Sequence, residues 1–365
     1  SIRYSLTKDD KYLTDTVADL LSQREDRLID NGAIYPGETF NYELKMWIDE
    51  NVGNEEQGKA FKGKIRIEGE QLINDTCFTV NNNTITGYSN TCSKDVIIPS
   101  KINGITITTI AQSAFANKNL TSVTLPSTLT TINREGFANN SLAHLEIPSS
   151  VTSILWGAFN NNQLPDDEAF IYAREADGSV DYTTLVSYAG ANRDHVVVPA
   201  GVETIINAFS FQTINSVSLP DTLKTIGDSA FYNTGLTDID IPASVTYIEP
   251  GSFRGNNLPP DKAFIYQRNA DGSIDYTYLV SYGGADQEIF EIPNTVKKVA
   301  NRVVYQIGAE VIVIPPSVEE IERNAFEKNQ WSLTLTKIIN QTGRSFDWGL
   351  IINGTSGYNF VTGTV

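Results

Sequence analysis

The stretch Phe137–Pro148 reads FANNSLAHLEIP, and Phe115–Pro126, 22 residues earlier, reads FANKNLTSVTLP. The same frame returns as FQTINSVSLP ending at Pro220 and FYNTGLTDIDIP ending at Pro242, and in weaker form ending at Pro99, Pro199, Pro293 and Pro315. Phe115, Phe137 and Phe159 are 22 residues apart, as are Phe209, Phe231 and Phe253, and Val304 stands 22 before Phe326. A fixed period of this length marks a stack of small units, none able to bury its own apolar face alone.

Two gaps break the count: Phe159 to Phe209 is 50 residues and Phe253 to Val304 is 51. Each holds an insertion, AFIYAREADGSVDYTTLVSYAGA at 169–191 and AFIYQRNADGSIDYTYLVSYGGA at 263–285, offset by 94 residues. A larger unit was therefore duplicated. In each insertion an Asp-Gly pair joins two alternating runs, which predicts a β-hairpin. With bounds at 165–193 and 259–287, both are expected to project from one side of the stack as excursions that folding does not need. Each resembles a calcium loop at first sight, but the oxygen ligand wanted four residues before Asp177 or Asp271 is Ala173 or Gln267.

The frame reads L-x-x-V-x-L-P-x-x-(L/V)-x-x-I-x-x-x-x-F-x-x-N. Counting back from each proline, positions −1, −3 and −6 are apolar while −2 and −4 are mostly polar. That alternation is a short strand with one buried face. Proline ends it, having no N–H for a ladder. The later I-x-x-x-x-F carries the chain across a second apolar wall. Eight such prolines imply eight rungs, or roughly 34 Å of ladder at ~4.8 Å per rung.

On these residues the chain resembles the leucine-rich repeats of BspA-type bacterial surface proteins, over residues 77–336. The resemblance implies a β-rich solenoid of short parallel strands in an extracellular protein, on the bacterial surface or secreted. Its implied role is adhesion: recognition of a host or matrix protein or a glycan by a monomeric module. A structural element of the envelope or of a pilus-like appendage, or the non-catalytic binding arm of a larger secreted protein, are the alternatives.

Composition agrees with an external role. The formal net charge is −17, which repels phosphate backbones and anionic lipid and excludes nucleic acid as a partner. No apolar run approaches the ~18 residues that would suggest insertion into a membrane. The chain opens on Ser1, as expected where a targeting or anchoring segment has been removed. Cys77 and Cys92 flank FTVNNNTITGYSNT, which reads as a hairpin, and a disulfide between them is expected at the N-terminal cap of the stack.

Outside the repeat, residues 1–76 read as a small β-rich or α+β domain or cap. TDTVADLLSQREDRL, from Thr14, is expected to be a short amphipathic helix, and TFNYELKMWI and AFKGKIRIEG alternate like strands. Residues 337–365 are expected to form a C-terminal β cap.

Catalytic signatures are missing: there is no H-E-x-x-H, G-x-S-x-G, C-x-x-C or phosphate-loop motif. The expectation is a non-enzyme without cofactor or metal. Candidate ligand contacts are the outward positions of the ladder, His144, Glu146, His195, Ser216, Ser218, Asp238 and Asp240, together with the hairpin aromatics Tyr172, Tyr182, Tyr266 and Tyr276. If the insertion is a side excursion, His144 and His195 fall on adjacent rungs beside Glu146. Two imidazoles and a carboxylate so placed would suit zinc or copper, but the plainer reading adopted is two exposed polar residues that happen to stack.

Overall fold

The computed structural model describes residues 2–8, 11–18, 42–48, 75–305, 309–327, 335, 337–347 and 351–353. The chain divides into two compact units, Ser1–Asn74 and Asp75–Val365.

In the first unit Ile2–Lys8 is the central strand, flanked by Lys11–Ala18 and Tyr42–Ile48, all antiparallel. The strand Tyr42–Ile48 lies within the expected alternating run. Thr14–Ala18, expected to open a helix, instead pair with Ile2–Leu6. The β-branched Thr14, Thr16 and Val17 favour a strand over a helix. The rest of that helix and the strand expected around 61–67 lie outside the described residues.

The second unit is a solenoid of parallel rungs. One wall is built from strands that precede the prolines, Asp95–Ile97 with Ser122–Thr124, then His195–Val197, Ser216–Ser218 and Asp238–Ile239, then Ile289–Glu291 and Val311–Ile314, and from Lys337–Asn340, which no proline follows. After it the chain turns sharply. The carbonyl of the proline accepts the N–H three residues on, as in Leu129 to Pro126, Leu223 to Pro220 and Val296 to Pro293. This is why the frame reads P-x-x-(L/V). A second wall follows, whose rungs each place one apolar residue inward, as in Thr109–Ile110, Thr131–Ile132, Thr204–Ile205 and Thr225–Ile226.

The third wall is the phenylalanine column. Phe115, Phe137 and Phe159 stack at 4.9 and 5.3 Å, and Phe209, Phe231 and Phe253 at 5.3 and 5.0 Å. All six are fully buried, and each contact adds ~0.5–1.5 kcal/mol beyond burial. The asparagine closing the frame satisfies the backbone at this corner. Asn140 Nδ2 donates to the carbonyls of Phe115 and Phe137 at 2.8 and 2.9 Å, and its Oδ1 accepts the Leu120 N–H. Asn162 and Asn256 repeat the pattern one and several turns on.

Among the described residues, counting the inward residue of the second wall gives eleven rungs, not eight: Ile85, Ile110, Ile132, Ile154, Leu185, Ile205, Ile226, Ile248, Leu279, Val299 and Ile321. The first belongs to the hairpin Phe78–Asn81 with Thr84–Tyr88, which caps the column by setting Phe78 and Tyr88 against Phe115. Cys77 and Cys92 are joined by a disulfide around it.

Leu185 and Leu279 come from the insertions, which are not excursions. In each hairpin, Phe170–Arg174 with Val180–Tyr188 and Phe264–Arg268 with Ile274–Tyr282, the second strand is itself a rung, pairing in parallel with Thr204–Ile205 or Lys298–Val299. The first strand is wedged on the other side of it, toward the preceding turn. Tyr188 and Tyr282 take the place of the column phenylalanine: Tyr188 lies 5.4 Å from Phe209, while the Tyr282 N–H donates to the carbonyl of Val303, beside Val304 of the column, and its ring packs on Phe290 of the first wall at 4.9 Å. Nor do the hairpin tips project. Arg174 and Arg268 reach from the hairpins to the carbonyls of Ile147 and Ile241, and a Cβ on Gly178 or Gly272 would collide with the carbonyl of Ser149 or Ala243.

Candidate ligand-binding surface

The first wall faces solvent at alternate residues, as the alternation requires. Asp95–Ile97, His195–Val197 and Ile289–Glu291 each run exposed, buried, exposed. The buried members Val96, Val196 and Phe290 fill the core, so the outward members are free to vary. Ile97, Val197 and Ile289 leave apolar side chains in water, 46, 61 and 54% exposed, each singly on its own part of the wall, with Thr124 beside Ile97 and Ser218 beside Val197.

His195, Ser216 and Ser218 come together. The imidazole Nδ1 lies 2.8 Å from Ser216 Oγ and Nε2 lies 3.0 Å from Ser218 Oγ. Ser216 Oγ donates to the Asp194 carbonyl, so it accepts from Nδ1–H, and Ser218 donates to Nε2. Both ring nitrogens are thus held by the neighbouring rung.

His144 does not join them. An entire turn separates the two histidines, because the insertion is part of the stack. The segment between them supplies Glu168, whose carboxylate lies 2.8 Å from His144 Nδ1 and also accepts the Leu145 N–H. The two-histidine arrangement expected from adjacent rungs is therefore not formed. Among the described residues, no group of three or more His, Cys, Asp or Glu side chains is placed to hold a metal ion. Glu146 is exposed.

Ninety-four residues on, Lys262 stands where the first copy has Glu168, Asp238 where it has His144, and Asp240 where it has another acid, Glu146. Asp238 and Asp240 both accept from Lys262 Nζ at 2.6 Å. The hydrogen bonds to Asp238 and then Asp240 push the ammonium above its ordinary range, and the same bond from Lys262 holds the Asp238 carboxyl below its own. Glu168 and Lys262 were missed by the sequence reading. Their signal was there: each lies 22 residues beyond Glu146 or Asp240, in the same outward slot of the next turn.

The hairpin tyrosines form two like pairs. Tyr172 and Tyr182 meet edge to face at 5.2 Å, as do Tyr266 and Tyr276. Burial, then the neighbouring tyrosine, raises the Tyr172 phenol above its ordinary value. Tyr182 and Tyr276 are 67 and 54% exposed.

Among the described residues no helix is long and apolar enough to cross a membrane. Comparison with curated proteins gave no match. Among solved structures, the chain is similar to a leucine rich cell surface protein from Faecalibacterium prausnitzii A2-165, at 24% identity over 72% of this chain and 73% of that one, with a TM-score of 0.38. It is similar to the pneumococcal vaccine antigen PcpA at 20% identity over 71% of this chain and 66% of the other, TM-score 0.39. A leucine-rich repeat protein from Eubacterium ventriosum matches at 18% identity over 70% of this chain and 59% of the other, TM-score 0.29. The model of the BspA type leucine rich repeat region matches in six copies, over residues 86–167, 186–261 and 281–346. Those segments make up more than half of the sequence and hold the proline turn, the phenylalanine column and its asparagines, and the chain belongs to the BspA-type leucine-rich repeat family.

Proposed function

We propose that this chain is a non-catalytic binding module displayed outside a bacterial cell, which holds a host or matrix protein against the first wall. Membership of the family points to a surface or binding role. The observation that carries the finer reading is the contrast between the two 94-residue copies. Inward residues repeat, whereas the outward set changes from His144, Glu146 and Glu168 to Asp238, Asp240 and Lys262. A face rewritten without cost to the core is what a repeat protein offers a partner. Val197 and Ile289 stand as separate exposed apolar residues among polar ones, contacts that a protein partner would cover. The tyrosine pairs add rigid contact area at low entropic cost.

A solid-phase screen of the intact chain against purified extracellular-matrix proteins tests this. Val197→Asp with His195→Ala, at the middle of the wall, is expected to weaken any specific binding by roughly tenfold or more, leaving the melting temperature nearly unchanged. Undiminished binding by that variant would remove the first wall from the recognition surface.

A further inference from the structure

The phenylalanine column has an outer edge. Two residues past each column phenylalanine the chain turns through the left-handed region, and the residue there is small: Asn117, Asn139, Asn161 and Asn233 at φ 57, 56, 57 and 50°, and Gly255 at 74°. Asparagine and glycine tolerate this conformation. In one turn the position is Phe211, at φ 55°. A bulky residue here is an outlier. It does not serve the core either, since Phe211 is 54% exposed.

The surroundings lock it in place. The Phe211 N–H donates to the Tyr232 carbonyl at 2.9 Å, and its own carbonyl accepts from Asn161 Nδ2 at 2.8 Å. Its ring meets Tyr232 edge to face at 4.8 Å, and the guanidinium of Arg254 covers the Tyr232 ring at 4.4 Å. Three successive turns thus present an aromatic, an aromatic and a cation in one row. Strained side chains held this firmly gather at ligand sites.

Beside the row lies a cavity of about 390 Å³, lined among others by Phe211, Tyr232, Asn233, Asn257, Asp286 and Gln287. Its volume is within the range of small-molecule sites. A half-exposed phenylalanine beside amides and a carboxylate matches one chemistry well, a pyranose, whose C–H face would lie on the ring while its hydroxyls bond to the amides and the carboxylate. The formal charge of −17 disfavours an anionic ligand. We propose that this cavity is a binding site for a neutral oligosaccharide, with Phe211 as its stacking platform. Its lining reaches from the third wall to Phe290 of the first but includes neither His195 nor Val197, so it stands or falls independently of the protein recognition tested there.

The test titrates the intact chain, by calorimetry, with neutral β-linked glucose and N-acetylglucosamine oligomers and with a sulfated oligosaccharide of similar length. Saturable binding of a neutral oligomer at about 1 mM or tighter is expected. Phe211→Asn should weaken it by roughly tenfold or more yet leave the melting temperature unchanged or raise it by about 2–4 °C, since asparagine fits the turn. Asn257→Ala, at the rim, supplies a second variant should Phe211→Asn fail to fold, and it should also weaken binding. The proposal is overturned if no neutral oligomer saturates, if only the sulfated chain binds, or if folded variants bind as tightly as the unaltered protein.

Discussion

The two hairpins share an internal scaffold and differ at their borders. In both, an arginine holds the turn glycine, Arg174 to Gly178 at 3.0 Å and Arg268 to Gly272 at 3.1 Å. In both, an aspartate closes the turn through a serine hydroxyl at 2.6 Å, Asp177 with Ser179 and Asp271 with Ser273. Where they meet the neighbouring turns they diverge. Gln267 pairs with both the N–H and the carbonyl of Ile248, each at 2.9 Å, and its counterpart is Ala173. Tyr278 donates to Glu322 and lies under Lys298, where the first copy has Thr184 and Thr204. Duplication preserved what makes a hairpin into a rung and left the seams to be fitted to each neighbour.

The largest effect should come from that shared scaffold. Tyr188 and Tyr282 are 1 and 5% exposed and stand in the aromatic column. Truncating either to alanine should cost ~3–5 kcal/mol, as for other large buried aromatics, and by a similar amount in both copies. Urea unfolding of the two variants measures it. A small loss in either would make that hairpin an appendage and restore the excursion expected from the repeat count.

Next come the turns. Gly178 and Gly272 sit at φ 85 and 82°, with the carbonyls of Ser149 and Ala243 where a Cβ would lie. Alanine at either should destabilise by about 2 kcal/mol or more, combining backbone strain with a clash. If Gly178→Ala is tolerated and Gly272→Ala is not, the tips are packed differently, and the equivalence of the two scaffolds is broken.

This pairing of rung and wedge shows what could be read from the residues alone. The proline turn, the phenylalanine column and both strands of each hairpin were legible, because side-chain period and turn chemistry are local. The outward residues of the first wall were legible for the same reason, and so was the disulfide, from cysteines flanking a hairpin. The rung inside each insertion was not. A tyrosine fills the phenylalanine place three residues after Leu185, whereas the regular spacing is five, as from Ile132 to Phe137. The 29-residue turn from Phe159 to Tyr188 was therefore counted as part of a 50-residue gap. Missing it put His144 and His195 on adjacent rungs and hid the partners Glu168 and Lys262. A tertiary slot accepts either aromatic; a letter count does not.

A smaller effect tests the border at Gln267. Its amide gives the edge of Ile248 a donor and an acceptor that Ala173 lacks. Gln267→Ala should cost ~1–1.5 kcal/mol by leaving those backbone groups without their partner. Ala173→Gln, read by the same urea unfolding, should stabilise the first copy by less than that, because the added side chain loses rotamer freedom. Should Ala173→Gln destabilise, the wedge in the first copy lies too close to Ile154 for an amide, and the seams differ in geometry as well as in residue.

The smallest effect belongs to the exchange of Glu168 for Lys262. Lys262 is 29% and Asp238 60% exposed, so solvent screens their attraction. Lys262→Met should lower the melting temperature by no more than about 1–2 °C at neutral pH. The pH dependence is more telling than the size. Asp238 is held below its ordinary 3.8, so its contribution is full above that pH and fades as pH falls through the depressed value. Lys262 is held above its ordinary 10.5, so its contribution is full below that pH and fades as pH rises through the raised value. The melting curves of Lys262→Met and the unaltered chain should run a constant distance apart between pH 3.8 and 10.5, and converge on either side. Glu168→Gln in the first copy keeps an acceptor for His144 and should change stability by no more than about 0.5 kcal/mol. Convergence of the Lys262 curves within the neutral range would mean that the ammonium is held by something other than Asp238 and Asp240. Glu168 and Lys262 would then have no common structural role, and the difference between the copies would have to be sought in what each one binds.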